Sequence, residues 1–90
     1  HMPSPVTELV LTAGGPGTVL AAWSPSSLAE NYRVTWQHAE GTAEPTEVGL
    51  FTEPQTALSL LPSGTSIIVG VSARNDSGET EPAEGTIVVP

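Results

Sequence analysis

The sequence predicts an all-β fold, a sandwich or a barrel of short strands around a single core. Nine glycines and nine prolines recur at short intervals along the 90 residues and divide the chain into short segments. Within these segments apolar and polar side chains alternate, which is the period of a strand with one buried face. No segment keeps helical periodicity over three turns. Short strands at roughly ten-residue spacing are typical of a β-sandwich or a barrel, and the length fits one domain.

Alternation and turn residues define the first four strands. The first strand places Leu9 and Leu11 on one face and ends at a turn that contains three glycines and a proline. The second alternates up to Trp23, and the third, from Tyr32 to Trp36, is the most regular amphipathic segment of the chain. A polar loop separates it from a short fourth strand. These strands are predicted at residues 6–12, 18–23, 32–37 and 46–51.

Three further strands follow from the same signals. The sixth strand alternates from Ile67 to Ala73 and is the longest of them. Residues 75–78 form a turn of residue types that tolerate positive φ, and residues 79–82 are expected to extend it as a loop. The last three strands are predicted at residues 56–60, 67–74 and 84–89, which gives seven in all.

Motifs along these strands resemble the fibronectin type III family. Trp23 stands in the second strand, where the family keeps a core tryptophan. The third strand, which Tyr32 opens, is similar to the family's Tyr-x-Val-x-aromatic pattern. The corner before the sixth strand resembles the family's leucine, glycine and threonine through Leu61, Gly64 and Thr65.

The longest part of the resemblance lies in the sixth strand and the loop after it. Residues 69–75 are similar to the family's Val-x-Val-x-Ala-x-Asn signature, and residues 77–79 with Pro82 match the loop. The resemblance covers residues 3–90, which are interpreted as a single domain. Residues 1–2 are interpreted as an expression-tag remnant.

Two positions depart from the family pattern. Ile67 stands where the family usually has a tyrosine, whose hydroxyl bonds back to the corner backbone. Without that hydroxyl we expect a loss of about 0.5–1.5 kcal/mol, the usual scale for one hydrogen bond. Ser63 stands where the family has a proline just before the corner glycine, so the local geometry of the corner is expected to differ.

The resemblance implies an immunoglobulin-like sandwich of seven strands, lettered A, B, C, C′, E, F and G in chain order. It implies that strands A, B and E form one sheet and strands C′, C, F and G form the other. Trp23 should then pack across from Tyr32 and Val71 at the centre of the core. The side chains expected to face inward are Leu9, Leu11, Val19, Ala21, Trp23, Tyr32, Val34, Trp36, Leu58, Ile67, Val69, Val71 and Ala73.

The two arginines are the only basic side chains apart from histidine, and the implied topology brings them together. Arg33 lies near the start of strand C and Arg74 near the end of its neighbour F, both on the outward face. One interpretation is that they pair with Glu30, Glu79 or Glu81, contacts that contribute about 0–1 kcal/mol when exposed. The other is a small cationic contact point for an acidic partner loop or a carboxylate. The candidate partner-contact residues are Arg33, Arg74, Asp76 and Glu79.

No arrangement of residues points to catalysis. His38 is interpreted as a solvated residue at the edge of a loop, and the chain has no cysteine. The acidic residues do not follow a calcium-loop spacing, so we expect no catalytic residue, no cofactor and no metal. Asn75 opens an Asn-Asp-Ser triplet, the acceptor pattern for N-glycosylation in a eukaryotic secretory pathway, although the family asparagine at this position usually has a role in the backbone turn.

The charge pattern limits the classes of partner. The chain carries ten acidic residues against two arginines, for a formal net charge of −8. Such a surface repels nucleic-acid phosphates and anionic lipid headgroups. No apolar run reaches the about 18 residues that a membrane span needs. We therefore expect a protein partner, no nucleic acid, no membrane insertion, and a monomer when the domain is isolated.

Our leading hypothesis is a non-catalytic interaction and spacer module of a larger multidomain extracellular protein of receptor, adhesion or matrix type. Contacts would run through the B–C loop (residues 24–31), the F–G loop (residues 75–81) or the C–F–G face, and through neighbouring domains. The alternative is a spacer in a secreted bacterial polymer-degrading enzyme, which the absence of lysine and the richness in small residues favour. An intracellular muscle-type module and a carbohydrate-binding module are less favoured; the latter needs exposed aromatic rings, and only Phe51 is a candidate.

Overall fold

The computed structural model describes all of residues 1–90 as two antiparallel sheets, with no helix. One sheet has the strand order β1-β2-β5. In the other the order is β4-β3-β6, and both β7 and β8 pair with β6. The strands are β1 (Thr7–Ala13), β2 (Val19–Ser24), β3 (Asn31–His38), β4 (Thr46–Phe51), β5 (Gln55–Leu58), β6 (Ser66–Asn75), β7 (Gly78–Glu79) and β8 (Ala83–Val88).

The sandwich and the composition of its two sheets confirm the sequence prediction. Strands β1, β2 and β5 are A, B and E, and strands β4, β3, β6 and β8 are C′, C, F and G. The structure has one short strand more than the seven expected, because β7 forms where the end of the predicted turn and the start of the predicted loop lie. Asn75 pairs with Gly78 and Arg74 with Glu79, so the chain turns back on β6 through a two-residue hairpin before it reaches β8.

The core lies between the two sheets and is centred on an aromatic pair. The Trp23 and Tyr32 rings meet edge to face, with centroids 5.4 Å apart. The Tyr32 hydroxyl accepts a hydrogen bond from the Ser26 backbone N–H at 2.8 Å, which satisfies its polar end. The 13 buried apolar side chains that form this core are Val6, Val19, Ala21, Trp23, Tyr32, Val34, Leu58, Leu61, Ile67, Val69, Val71, Ala73 and Val89.

The expected set of inward residues needs two corrections. Leu9, Leu11 and Trp36 pack against the core but are only partly buried. Three core members were missed, one in the corner before β6 and the other two at the outer ends of the predicted first and last strands, just beyond the observed β1 and β8. They are Val6, Leu61 and Val89.

The corner between β5 and β6 contains Ser63, and the other departure from the family pattern, Ile67, follows in β6. Backbone hydrogen bonds hold the corner. The Gly64 N–H donates to the Val89 carbonyl at 2.8 Å, and the Val89 N–H donates to the Thr65 carbonyl at 2.9 Å. Ile67 is fully buried, so its side chain replaces the usual tyrosine by apolar contact alone. The corner is thereby joined to the last residues of the chain.

The two ends of the described chain lie at opposite ends of the strands. Near the start, the Ser4 N–H donates to the Ser27 carbonyl in the B–C loop at 3.0 Å. At the other end of the sandwich, the Gly17 N–H donates to the Pro90 carbonyl at 2.8 Å. The longest dimension of the molecule is 40 Å, which is comparable with the length of a ten-residue strand at about 3.3 Å per residue. No helix in the structure has the length and apolar character that crossing a bilayer requires.

Candidate functional site

The two arginines meet on the outward face of the larger sheet, at the end that carries the B–C and F–G loops. Arg33 on β3 pairs across the sheet with Ser72 on β6, and Arg74 lies two residues beyond Ser72. Both side chains point outward, because their neighbours Tyr32 and Ala73 are buried in the core. The juxtaposition expected from the sequence is therefore observed.

Glu79 lies between the two guanidinium groups and binds both. Its Oε1 is 3.6 Å from Nη1 of Arg33 and 3.3 Å from Nε of Arg74. Its Oε2 accepts a hydrogen bond of 2.6 Å from the hydroxyl of Ser72, which is itself buried. The carboxylate is thus held by three groups from two strands, and β7 is the element that brings it there. Of the expected glutamate partners only Glu79 makes an ion pair.

Glu47 on β4 is a second carboxylate of this cluster, and the sequence did not indicate it. Its Oε1 lies 3.1 Å from Nε of Arg33, in a direction that makes an ion pair without an aligned N–H···O hydrogen bond. Glu47 pairs with Thr35 across the sheet just after an irregularity between Val34 and Thr35. That shift in register sets the position of Glu47, and no local pattern in the sequence encodes it.

A hollow of about 360 Å³ opens on the same face beside the ion pairs. Gly70, at the middle of β6, forms its floor together with Thr35, and Pro45 and Pro82 lie along its rim. A Cβ at position 70 would lie 3.1 Å from the Thr35 hydroxyl oxygen and 3.6 Å from Cβ of Pro82. The hollow therefore depends on a glycine at this position, and we call it the Gly70 hollow.

Asn75 ties the F–G turn to the B–C loop. Its Nδ2 donates to the Leu28 carbonyl at 3.0 Å and to the His1 carbonyl at 2.7 Å. Its Oδ1 accepts a hydrogen bond from the Ser77 N–H at 2.8 Å, which is an Asx turn. N-glycosylation at Asn75 stays a prediction, and a glycan on Nδ2 would replace at least one of these N–H donors. Asp76 is exposed at the tip of the turn and takes no part in the arginine cluster.

The remaining aromatic and titratable side chains lie apart from this face or at its edge. His38 is exposed at the end of β3, where its ring meets Trp36 edge to face at 5.4 Å. Phe51, the aromatic residue considered for an exposed stacking surface, packs partly against the core. No group of three or more histidine, cysteine or acidic side chains is placed to hold a metal ion.

The smaller sheet presents an outward face of different character. Val10 and Leu20 are 57% and 44% exposed and line a groove of about 520 Å³ together with Ala22 and Ala57. No charged side chain lines this groove. The two outward faces therefore differ in chemistry: one carries the ion pairs, whereas the groove on the other has no charged side chain in its lining.

Comparison with known proteins identifies the fold. No protein-family model matches the sequence, and no curated protein matches it. The structure is similar to the fn3 domain of the human collagen α1(XX) chain, with a TM-score of 0.85 and 25% identity over 96% of this chain and 84% of that one. It is also similar to a Fn3-like protein from Clostridium thermocellum, with a TM-score of 0.82 and 22% identity over 98% of this chain and 94% of that one.

A third similarity places the fold inside a much longer chain. The twitchin kinase region from C. elegans matches with a TM-score of 0.85 and 20% identity over 98% of this chain but only 17% of that one. Domains of this kind are modules of multidomain proteins, and they generally have no catalytic role. The strand order, the core tryptophan and these similarities agree with one another. The chain is therefore a domain of the fibronectin type III fold, as the motifs along its strands predicted.

Proposed function

We propose that this domain is a non-catalytic spacer and protein-contact module in a longer extracellular chain of receptor, adhesion or matrix type. The observation that carries the proposal is the position of the two chain ends at opposite ends of a 40 Å molecule. The chain enters at the end with the B–C and F–G loops and leaves beside Gly17. Its two ends are therefore separated by the full length of the sandwich. Domains joined in this way form an extended string rather than a compact cluster.

Backbone hydrogen bonds at both ends support the spacer role. Ser4 is bonded to Ser27, and Pro90 is bonded to Gly17, so the directions of entry and exit are fixed relative to the sheets. A linker between two such domains bends only over the few residues outside these contacts. The distance across the module is then set by the sandwich and varies little with the composition of the linker.

The surroundings of His38 support a non-catalytic role. Its imidazole contacts the Trp36 ring and makes no side-chain hydrogen bond to a hydroxyl or a carboxylate. A general base acts on a nucleophile within hydrogen-bond reach. Thr65 and Ser66 line a hollow with His38, but neither hydroxyl is hydrogen-bonded to its ring. The ion-pair cluster on the larger sheet contains no nucleophile other than Ser72, whose hydroxyl is buried and donates to Glu79.

The extracellular setting is supported by the similarity to a domain of a human collagen chain and by the glycosylation triplet at Asn75. A second candidate is a spacer in a secreted bacterial polymer-degrading enzyme. The absence of lysine and the richness in alanine, glycine, threonine and proline favour it, since such bias follows from a GC-rich genome. The sequence on either side of this domain distinguishes the two, because it contains either further modules of this fold or a hydrolase domain.

Small-angle X-ray scattering on two copies joined end to end tests the spacer proposal. With a two-residue linker, the maximum dimension should approach twice the 40 Å extent of one copy, with a narrow distribution of distances. A matched tandem with a long Gly/Ser linker should give a broader distribution of distances, since such linkers behave as flexible coils. A short-linker tandem that folds side by side, with a maximum dimension near that of one copy, would contradict the proposal.

A further inference from the structure

A row of outward-facing residues crosses the larger sheet through the Gly70 hollow. Thr35 on β3 pairs with Glu47 on one side and with Gly70 on the other, and Gly70 pairs with Glu84 on β8. Directly opposed residues of an antiparallel pair lie on the same face. At about 4.8 Å between strands, the two glutamates are separated by about 14 Å at the backbone. The row thus carries a carboxylate at each end and no side chain at Gly70. Glu47 lines the hollow together with Arg33 and Glu79, whereas Glu84 is exposed beside it, next to Gly70 on the neighbouring strand.

The two arginines beside this row are already neutralised within the domain. Glu79 binds both guanidinium groups, and Glu47 lies against Arg33. Glu84 makes no ion pair. Glu47, Glu79 and Glu84 therefore give this face three carboxylates against two guanidinium groups, and its net charge is negative. An acidic partner would have to displace contacts inside the domain and approach a molecule of net charge −8.

From these contacts we propose that the Gly70 hollow receives a lysine or arginine side chain from a basic segment of a protein partner, between Glu47 and Glu84. This inference rests on the proposed protein-contact role and specifies the chemistry of the partner. It reverses the hypothesis of a cationic contact point at Arg33 and Arg74, because the structure places a carboxylate against each of those groups.

The shape and lining of the hollow fit such a side chain. Its volume of about 360 Å³ lies at the small end of the roughly 300–1,000 Å³ typical of ligand pockets, which suits one extended side chain. Pro45 and Pro82 offer apolar surface to an aliphatic stem, as long cationic side chains require. The Thr35 hydroxyl makes no hydrogen bond within the domain and lies at the floor, where it accepts one from the charged end. The excess negative charge also speeds the approach of a basic partner.

Titration of ¹⁵N-labelled domain with two blocked heptapeptides tests this inference. One peptide alternates lysine with glycine and the other alternates glutamate with glycine, both at low ionic strength. The lysine peptide should shift the amide signals of residues 34–36, 47–49, 70–71 and 84–85. Glu47→Gln and Glu84→Gln should each weaken its binding by about two- to fivefold, the range for a partly exposed ion pair. Salt at 150 mM should weaken it further.

Glu53→Gln is the matched control, since it removes the same charge from an exposed turn outside the larger sheet. It should change the affinity by less than about 1.5-fold. Equal weakening by Glu53→Gln, with shifts spread over the whole surface, would show attraction by net charge alone and overturn the inference. Binding of the glutamate peptide at Arg33 and Arg74 would show that the partner is acidic and not basic, and would overturn the inference. It would still support a protein contact at this face.

If neither peptide shifts the amide signals of the larger sheet, the inference is wrong. The proposal that this face contacts a protein partner is then wrong as well. The proposed spacer role would be unaffected, because the scattering of the tandem tests it independently. The outcomes of the two experiments therefore separate a wrong partner chemistry, a wrong contact face and a wrong architecture.

Discussion

Replacing each tryptophan by alanine in turn distinguishes the centre of the core from its edge by the stability that each variant loses. Trp23 is 5% exposed and meets Tyr32 edge to face at 5.4 Å, whereas Trp36 is only partly buried and contacts the exposed His38. Replacing a buried tryptophan by alanine costs about 3–5 kcal/mol, and an aromatic pair adds about 0.5–1.5 kcal/mol beyond the buried area. We expect Trp23→Ala to cost about 4–5 kcal/mol and Trp36→Ala about half as much.

The loss expected for Trp23→Ala is large relative to the total free energy of unfolding. A domain of this length has a free energy of unfolding of about 5–13 kcal/mol, so Trp23→Ala removes a third of it or more. Equilibrium unfolding in guanidinium chloride measures both variants. The midpoint should fall by about 1–2 M for Trp23→Ala and by less than about 1 M for Trp36→Ala. Each variant keeps one tryptophan, whose fluorescence follows the transition alongside circular dichroism.

Equal losses within about 0.5 kcal/mol, or a larger loss for Trp36→Ala, would refute the placement of the core centre. If Trp23→Ala does not fold, Trp23→Phe replaces it in the comparison. The phenylalanine keeps a ring against Tyr32, and no hydrogen bond is lost because Nε1 of Trp23 has no acceptor within the protein. That variant should cost about 1–2 kcal/mol, still measurable by the same unfolding curves.

Three smaller effects follow from backbone geometry and one hydrogen bond. Leu60 is 98% exposed with a φ of 58°, so Leu60→Asn should raise the unfolding free energy by about 0.5–1 kcal/mol, and a lower melting temperature would contradict this. Gly17 has a φ of 71°, and an added Cβ would lie 3.2 Å from the Leu61 carbonyl oxygen. Gly17→Ala should therefore cost about 1–2 kcal/mol in chemical denaturation, whereas an unchanged midpoint would argue against that turn. Tyr32→Phe leaves the Ser26 N–H without its acceptor and should cost about 1 kcal/mol, with faster hydrogen exchange at that amide; an unchanged exchange rate would contradict it.

The arginine cluster shows how far sequence reasoning reaches toward the site. Strand parity and the implied topology correctly placed Arg33 and Arg74 on one face at one end of the sheet. They did not show which carboxylates would bind them, because that depends on contacts between distant strands. Glu79 is brought in by the short hairpin of β7, and Glu47 by the irregular pairing of β4. The net charge of the face, and hence the partner it attracts, follows from these details.

Alternation of apolar and polar residues determined the seven longer strands and most of their inward faces, because the period of two is a local property that any window of the chain displays. The resemblance of the strand motifs to a known family selected the sandwich. The tertiary structure alone decided the burial of Leu61 and Val89, the Gly70 hollow and the placement of the chain ends at opposite ends of the molecule. These features depend on register, bulges and corners, which join residues far apart in the sequence. Packing of one sheet on the other selects among registers that the local pattern alone allows.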